Sequence, residues 1–375
     1  MIEVDVAVVG GGIAGASAAA HLAAERSVVL LEREDQPGYH ASGRSAALFS
    51  ETYGNAVVRA LSVASRPFLE RPPEGFATHP LLAPRGALHV GAKRHEAQLA
   101  TLLRDAQALV PSVRALSGEE ARSLVPLLRP DVATTAVFEP DAQDIDTHAL
   151  LSGFLRIVRA RGGQVVTRAE VTALAHDGVR WRIESRAGPV SAAIVIDAAG
   201  AWADGIAGLA GLAPLGLRPK RRTAFVFEPP AGLDVAAWPM VIGADEEVYV
   251  KPEAGLLLAS PADETDSEPT DAQPEEIDVA TAAERVEALL DLPVRRIVRR
   301  WAGLRTFAPD RTPVVGFDPR QAGFFWLAGQ GGYGFQTAPA LGRAAGELIL
   351  GGTLPADLTA AGIRAADLAP ERFLR

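Results

Sequence analysis

The sequence predicts an α/β fold in which a discontinuous Rossmann-type domain carries a parallel sheet and a second domain is built on an antiparallel sheet and helices. Three observations predict it. The first 32 residues run strand, glycine turn, helix, strand, acid. Far along the chain, Ala192 to Asp197 reads as a fully buried strand and returns to parallel-sheet character. Between them in kind, Leu217 to Ser260 alternates in short strands broken by turns, the pattern of an antiparallel sheet.

The opening unit is a strand over Val4 to Val9, the turn Gly10-Gly-Gly12-Ile13-Ala14-Gly15, a helix over Ile13 to Ala24 and a strand ending at Glu32. Each glycine has its own task. Gly10 permits the tight turn, Gly12 lets backbone approach a pyrophosphate, and Gly15 lets the helix pack on the strand. The helix aims its unpaired N-terminal amides and positive dipole end at the phosphates. Glu32, 22 residues beyond Gly10, can accept both ribose hydroxyls and would repel the extra phosphate of NADP. This much reads as an ADP-containing cofactor, with NAD and FAD both open.

Next comes Gly38-Tyr-His-Ala-Ser-Gly-Arg-Ser-Ala-Ala47, a loop whose small residues let backbone lie close to a ligand. Helical periodicity predicts helices over Val57 to Glu70, Arg94 to Leu109 and Gly118 to Leu124. Thr147 is the N-cap candidate for an amphipathic helix to Arg161, followed by strands over Gln164 to Val166, Val171 to Ala175 and Arg180 to Arg186. The acidic stretch Asp263 to Asp278 reads as a solvated loop rather than a cation site, and no metal site is expected. A helix near Val279 to Leu290 precedes the basic cluster Arg295 to Trp301, read as a helix end or exposed strand. The strand Gly323 to Ala328, the turn from Gly329 to Phe335 and a following helix rejoin the first domain and set a second helix N-terminus beside the cofactor.

Composition narrows the function classes. The chain has 375 residues, 48% hydrophobic and 22% charged, which suits an ordinary globular protein of two domains. A net charge of −9 disfavours nucleic acid as a partner. No apolar run reaches the roughly 18 residues of a membrane span, and no basic leader opens the chain, so a cytoplasmic location is expected. With no cysteine, disulfides, thiolate metal sites, dithiol redox chemistry and cysteinyl cofactor links are excluded. Redox chemistry must come from something bound.

Four separated stretches resemble the D-amino-acid oxidase and glycine oxidase superfamily of FAD-dependent oxidoreductases: the first glycine turn with Glu32, His40 to Ala47, Ile196-Asp-Ala-Ala-Gly-Ala-Trp202, and Trp326 to Gly334. Within it, Pro37 to His40, Pro219-Lys-Arg-Arg222 and Trp301-Ala-Gly-Leu-Arg305 are most similar to bacterial FAD-dependent D-arginine dehydrogenases. The resemblance implies a non-covalent FAD in a domain of residues 1–47, 142–212 and 302–375. It implies a substrate domain of residues 48–141 and 213–301 laid over the isoalloxazine. Beside Gly10, Gly12, Gly15 and Glu32, the implied cofactor residues are Ile13, Ala14, Arg33, Ala41, Ser42, Gly43, Arg44, Ser45, Ala46, Ala47, Leu48 and Val171. Ala199, Gly200, Trp202, Gly331, Gly332, Tyr333, Gly334, Phe335 and Gln336 complete them.

An enzyme that oxidises amino acids must hold a carboxylate and shield the reacting pair from water, and a guanidinium fork suits the carboxylate. By the resemblance this falls to Arg222 and Arg305 with Tyr53 and Tyr249, two of only four tyrosines. The Gly332 carbonyl or a water near Ser50 receives the amine hydrogens. Two departures follow: Leu48 stands where the D-arginine enzymes carry a histidine, and Ala87 where they carry a glutamate that pairs with the substrate guanidinium. A cationic side chain would enter that pocket unpaired. Leu48, Ala87, Met240 and Phe335 therefore suggest a neutral, hydrophobic or aromatic D-amino acid, oxidised to an imino acid that hydrolyses to a 2-oxo acid and ammonia. Glu51, His89 and Glu246 are candidates for replacement polar groups in the pocket, but are read as solvated. The electron acceptor is oxygen or a quinone-like molecule. Two other readings stand beside this one: oxidation of a secondary amine or 2-hydroxy acid, and a non-catalytic flavin-binding subunit.

Overall fold

Three strands of the first sheet end side by side at the glycine turn. In the computed structural model, which describes residues 1–374, the strand Ile2–Val9 lies between Val28–Leu31 and Val190–Asp197, parallel to both. Val9 is level with Leu31 on one side and Asp197 on the other. All three chains thus leave the sheet at one level, and their loops meet there. Phe324–Ala328 extends the parallel run beyond Val190–Asp197, and Gln164–Val166 extends it beyond Val28–Leu31. Antiparallel strands Trp181–Ser185, Val171–His176 and Val314–Phe317 complete eight strands. One face is covered by the helices Ile13–Leu22, Thr147–Ala160 and Gly334–Gly351. The first and last of these approach closely, because a Cβ on Gly342 would stand 2.7 Å from the Ser17 backbone.

A nine-stranded second sheet runs Thr265–Asp266, Arg218–Phe227, Leu256–Ser260, Tyr249–Glu253, Met240–Gly243, Ala87–Gly91, Thr135–Glu139, Arg114–Ser117. Ile297–Phe307 pairs along the length of Arg218–Phe227. The expected antiparallel character holds except at one pair, since Met240–Gly243 runs parallel to Ala87–Gly91. Alternation assigns the faces. Leu88, Val90, Phe225, Phe227, Val241, Val250 and Leu257 point outward into a core with Val279, Ala282 and Val286 of helix Glu276–Leu289. Burying each Phe ring there contributes about 2–3 kcal/mol. The other face, with Ala87, His89, Ala224, Met240, Ile242 and Tyr249, looks toward the first domain.

Of the expected domain limits, one falls inside a strand and one beside a strand. Position 302 lies within strand Ile297–Phe307, which stays in the second sheet throughout. Position 142 adjoins strand Gln143–Ile145, which pairs with Leu48–Phe49 and Leu82–Pro84 in a small third sheet. Helix Thr147–Ala160 is capped by Asp146, whose carboxylate accepts the Ala149 amide at 2.7 Å, and not by Thr147. The acidic stretch is not simply solvated either. Asp263 is half-buried against Thr223, accepting its amide at 2.7 Å, while Lys220, Arg221 and Arg44 hold Asp266, Asp278 and Asp271.

Candidate active site

A single cavity of about 920 Å³ begins at the first glycine turn and ends on the inner face of the second sheet. At its first end Gly10 has φ of +109°, and a Cβ there would collide with the Ala198 carbonyl. Glu32 is buried, and its carboxylate accepts the amides of Gly11 and Glu34, both at 2.9 Å. Each bond takes one carboxylate oxygen, and Glu32 itself lines the cavity. Ser42 reaches across from the small-residue loop to accept the Ile13 amide at 3.0 Å, tying that loop to the helix end. Arg33 lies over the Trp202 ring at 4.8 Å, and His40 packs on the same ring at 4.6 Å.

Most of the sequence-derived cofactor residues line this one space: Gly10, Gly12, Ile13, Ala14, Glu32, Arg33, Ala41, Ser42, Arg44 to Leu48, Val171, Ala199, Gly200, Trp202 and Gly331 to Gln336. Gly15 and Gly43 do not. A Cβ on Gly15 would fall on the Gly10 carbonyl, and one on Gly43 would stand 2.5 Å from the Gly38 carbonyl, so both are glycines for packing.

At the far end the adjacent strands Arg218–Phe227 and Ile297–Phe307 place Arg222 opposite Gly303 and Lys220 opposite Arg305. Arg222 and Arg305 therefore project from one face, diagonally related. Their surroundings differ. Arg222 donates Nε to the Asp263 carbonyl at 2.7 Å and lies 3.5 Å from Glu264. Arg305 has no acidic partner within ion-pair distance among the described residues; its Nη1 stands 3.5 Å from the Tyr53 hydroxyl. Burial pulls its guanidinium down, and Tyr53 and Tyr249 more than offset this, leaving it above its ordinary value. For Tyr249, burial favours the neutral phenol, but Arg305 and Arg222 outweigh it and hold the phenol below its usual range. Burial, with Tyr53 adding to it, pushes Tyr333 up to about 12.

Leu48, Ser50, Ala87, Met240 and Phe335 line the same end. The three polar residues read as solvated part ways. Glu51 is held by Arg66 through two bonds of 2.8 Å, whereas Glu246 is exposed at the cavity wall. His89 is not solvated: it lines the cavity, and burial brings its imidazole down to about 4, so it is neutral. Sequence reasoning also missed Thr52, Arg59, Glu264 and Arg311, all on the cavity wall. No local pattern marks them. They sit in turns and loops and on helix Ala56–Glu70, which the strands carry to the cavity from distant parts of the chain.

The chain matches the FAD dependent oxidoreductase family, DAO, over residues 5–348. It is 31% identical over 183 residues to the FAD-dependent oxidoreductase domain-containing protein 1 of Bos taurus, covering 44% of this chain and 37% of that protein. The chain spans about a third to two thirds of the length of the first curated relatives it matches. Among solved structures, the L-proline dehydrogenase of P. horikoshii superposes with a TM-score of 0.83 at 21% identity, covering 99% of this chain and 98% of that one. The glycine oxidase of Geobacillus kaustophilus gives 0.82 at 22% identity, covering 93% and 95%. These two likenesses carry the fold.

Proposed function

The chain belongs to the DAO family of FAD-dependent oxidoreductases, and from that premise we propose that it oxidatively deaminates a neutral, hydrophobic D-amino acid. The residues present suit the cofactor. Gly10 and Gly12 leave room for backbone to approach a pyrophosphate, Glu32 is aimed at a ribose, and the cavity runs on past the small-residue loop to a helix that starts at Gly334. These groups, with Arg33, Ser42, Arg44 to Leu48 and Gly331 to Gln336, would hold an extended FAD without a cysteinyl link. When bound, FAD supplies the acceptor for a hydride from the substrate Cα.

One observation carries the substrate reading: Arg305 faces the cavity with a free guanidinium flanked by tyrosines, and Leu48, Ala87, Met240 and Ile242 line the same end. The fork binds a carboxylate through two parallel charge-assisted bonds. Tyr53 and Tyr249 orient it, and the apolar wall receives the side chain. A guanidinium or ammonium side chain would find no counter-ion at Ala87, which sets this chain apart from the D-arginine dehydrogenases it resembles. The D configuration rests on that resemblance. The imino acid hydrolyses in water to the 2-oxo acid and ammonia.

A second reading, oxidation of glycine-like or secondary amines, is favoured by the fold likeness to a glycine oxidase and an L-proline dehydrogenase. The same arginine would serve both. An anaerobic panel separates them: D-leucine, D-methionine and D-phenylalanine are expected to bleach the flavin faster than D-arginine, glycine, sarcosine or L-proline. Faster bleaching by D-arginine would overturn the apolar-pocket argument.

A further inference from the structure

Resting on the amine-oxidising reading above, we infer that Ser50, Thr52 and Glu139 form a relay that takes the surplus proton from the substrate's α-ammonium. Ser50 Oγ donates to Glu139 Oε2 at 2.9 Å, and Thr52 Oγ1 donates to the same oxygen at 2.7 Å. The two hydroxyls are 3.1 Å apart. Ser50 and Thr52 line the cavity beside Tyr53, while Glu139 is buried behind them and does not reach the cavity wall. With both hydroxyl hydrogens committed to the carboxylate, the hydroxyl oxygens offer lone pairs to the cavity. That is an acceptor surface, matched to an N–H donor and not to a carboxylate.

The surroundings make Glu139 an acceptor and not a counter-ion. Among the described residues no cation pairs with it. The charge that acts on it is that of Glu51, which Arg66 already holds. Along the sheet Glu139 is level with Ala87, and neutral His89 lies two residues further on that strand. In the same row beyond Met240, Lys251 is held by Asp144 at 2.8 Å and Glu253 at 2.9 Å. Burial raises the Glu139 carboxyl above the usual carboxylate range, with Thr52 and Ser50 opposing and Glu51 reinforcing. A side-chain network fixes the entry point: Gln336 holds the Ser50 amide at 3.4 Å and is itself bonded to Ser62 at 2.8 Å.

The step balances within the site. One N–H bond of the ammonium breaks and its proton forms an O–H bond on Ser50 or Thr52, as that hydroxyl's own proton passes to Glu139. An ammonium and a carboxylate become an amine and a carboxylic acid, and no electrons move. The neutral amine has the lone pair needed to form C=N as the Cα hydrogen departs. Glu139 touches no substrate atom and acts through the two hydroxyls.

The test follows anaerobic flavin reduction by stopped flow in the FAD-loaded chain, at saturating concentrations of the amino acid that bleaches wild type fastest, from about pH 6 to pH 10. For Glu139→Gln the expected result is a rate at least about tenfold lower near pH 7, an acid limb moved up by about one pH unit or more, and near-wild-type rate at about pH 10. Benzoate, a carboxylate without an amine, should bind as in wild type. Ser50→Ala combined with Thr52→Val leaves Glu139 in place and should move the limb in the same direction; it also stands in if Glu139→Gln does not fold. An unchanged profile, or the same slowing at every pH, overturns the relay. If no amine bleaches wild type at all, the amine-oxidising reading fails, and the relay falls with it.

Discussion

Gly332 stands directly against Arg305: a Cβ at position 332 would lie 2.9 Å from Nη1 and 3.2 Å from Cζ of the guanidinium, and 3.3 Å from the Tyr53 hydroxyl. The turn that brings backbone to the cavity therefore also limits where the Arg305 guanidinium can lie. Gly332→Ala should displace Arg305 and weaken a bound carboxylate by about tenfold, about 1.4 kcal/mol. Titrating the flavin spectrum with benzoate measures this. Retained FAD with unchanged benzoate affinity would show that Arg305 has slack the geometry does not suggest.

Arg305 and Arg222 should separate on mutation because their partners differ. Arg305→Met removes a free guanidinium, so substrate KM should rise by about two orders of magnitude or more, about 3 kcal/mol, with FAD still bound. Arg222→Met additionally strips Asp263 and Glu264 of a buried partner, so thermal stability should fall as well. Loss of FAD from Arg305→Met would place that residue at the cofactor.

Gly15→Ala tests the opening turn without touching the cavity. Its methyl group would meet the Gly10 carbonyl, with Val8 at 3.1 Å and Ala198 at 3.3 Å also in the way. Overpacking of this kind costs about 1–3 kcal/mol or more. The purified variant should carry markedly less flavin per protein, read from the ratio of visible to ultraviolet absorbance. Full occupancy would mean that the helix can shift.

His89 predicts a stability change with pH. Its folded value of about 4 lies below the ordinary 6.5, so between these values the unfolded chain binds the extra proton. The stabilisation is complete above about pH 6.5 and is lost as pH falls toward 4. From pH 7 to pH 5 the contribution lost is about 2 kcal/mol. His89→Phe should lack that component, as compared by denaturant unfolding at both pH values. Identical pH dependence in both proteins would mean that His89 titrates normally.

Periodicity and glycine chemistry gave the strands, the helices and the cofactor end, down to Gly118–Leu124 and Gln164–Val166. Local signals failed where two neighbours compete or where the partner is remote. Asp146 and Thr147 are both good caps, and only the geometry chooses between them. Asp263 sits in an acidic run that looks solvated, yet Thr223, 40 residues earlier, holds its carboxylate through its amide and its hydroxyl. His89 and Glu139 reach the site through pairing of Ala87–Gly91 with Thr135–Glu139 and Met240–Gly243, a register no single segment encodes.

The two ends of the cavity are built from different kinds of backbone. Loops and helix ends face the cofactor, whereas Ala87, His89, Met240, Ile242, Arg222 and Arg305 belong to strands locked in one sheet. Side chains on that sheet can be exchanged one at a time, at fixed spacing, while the electron-accepting half stays as it is. A change of side chain at Ala87 or Met240 would therefore reshape that end of the cavity without disturbing the glycine turns at the other.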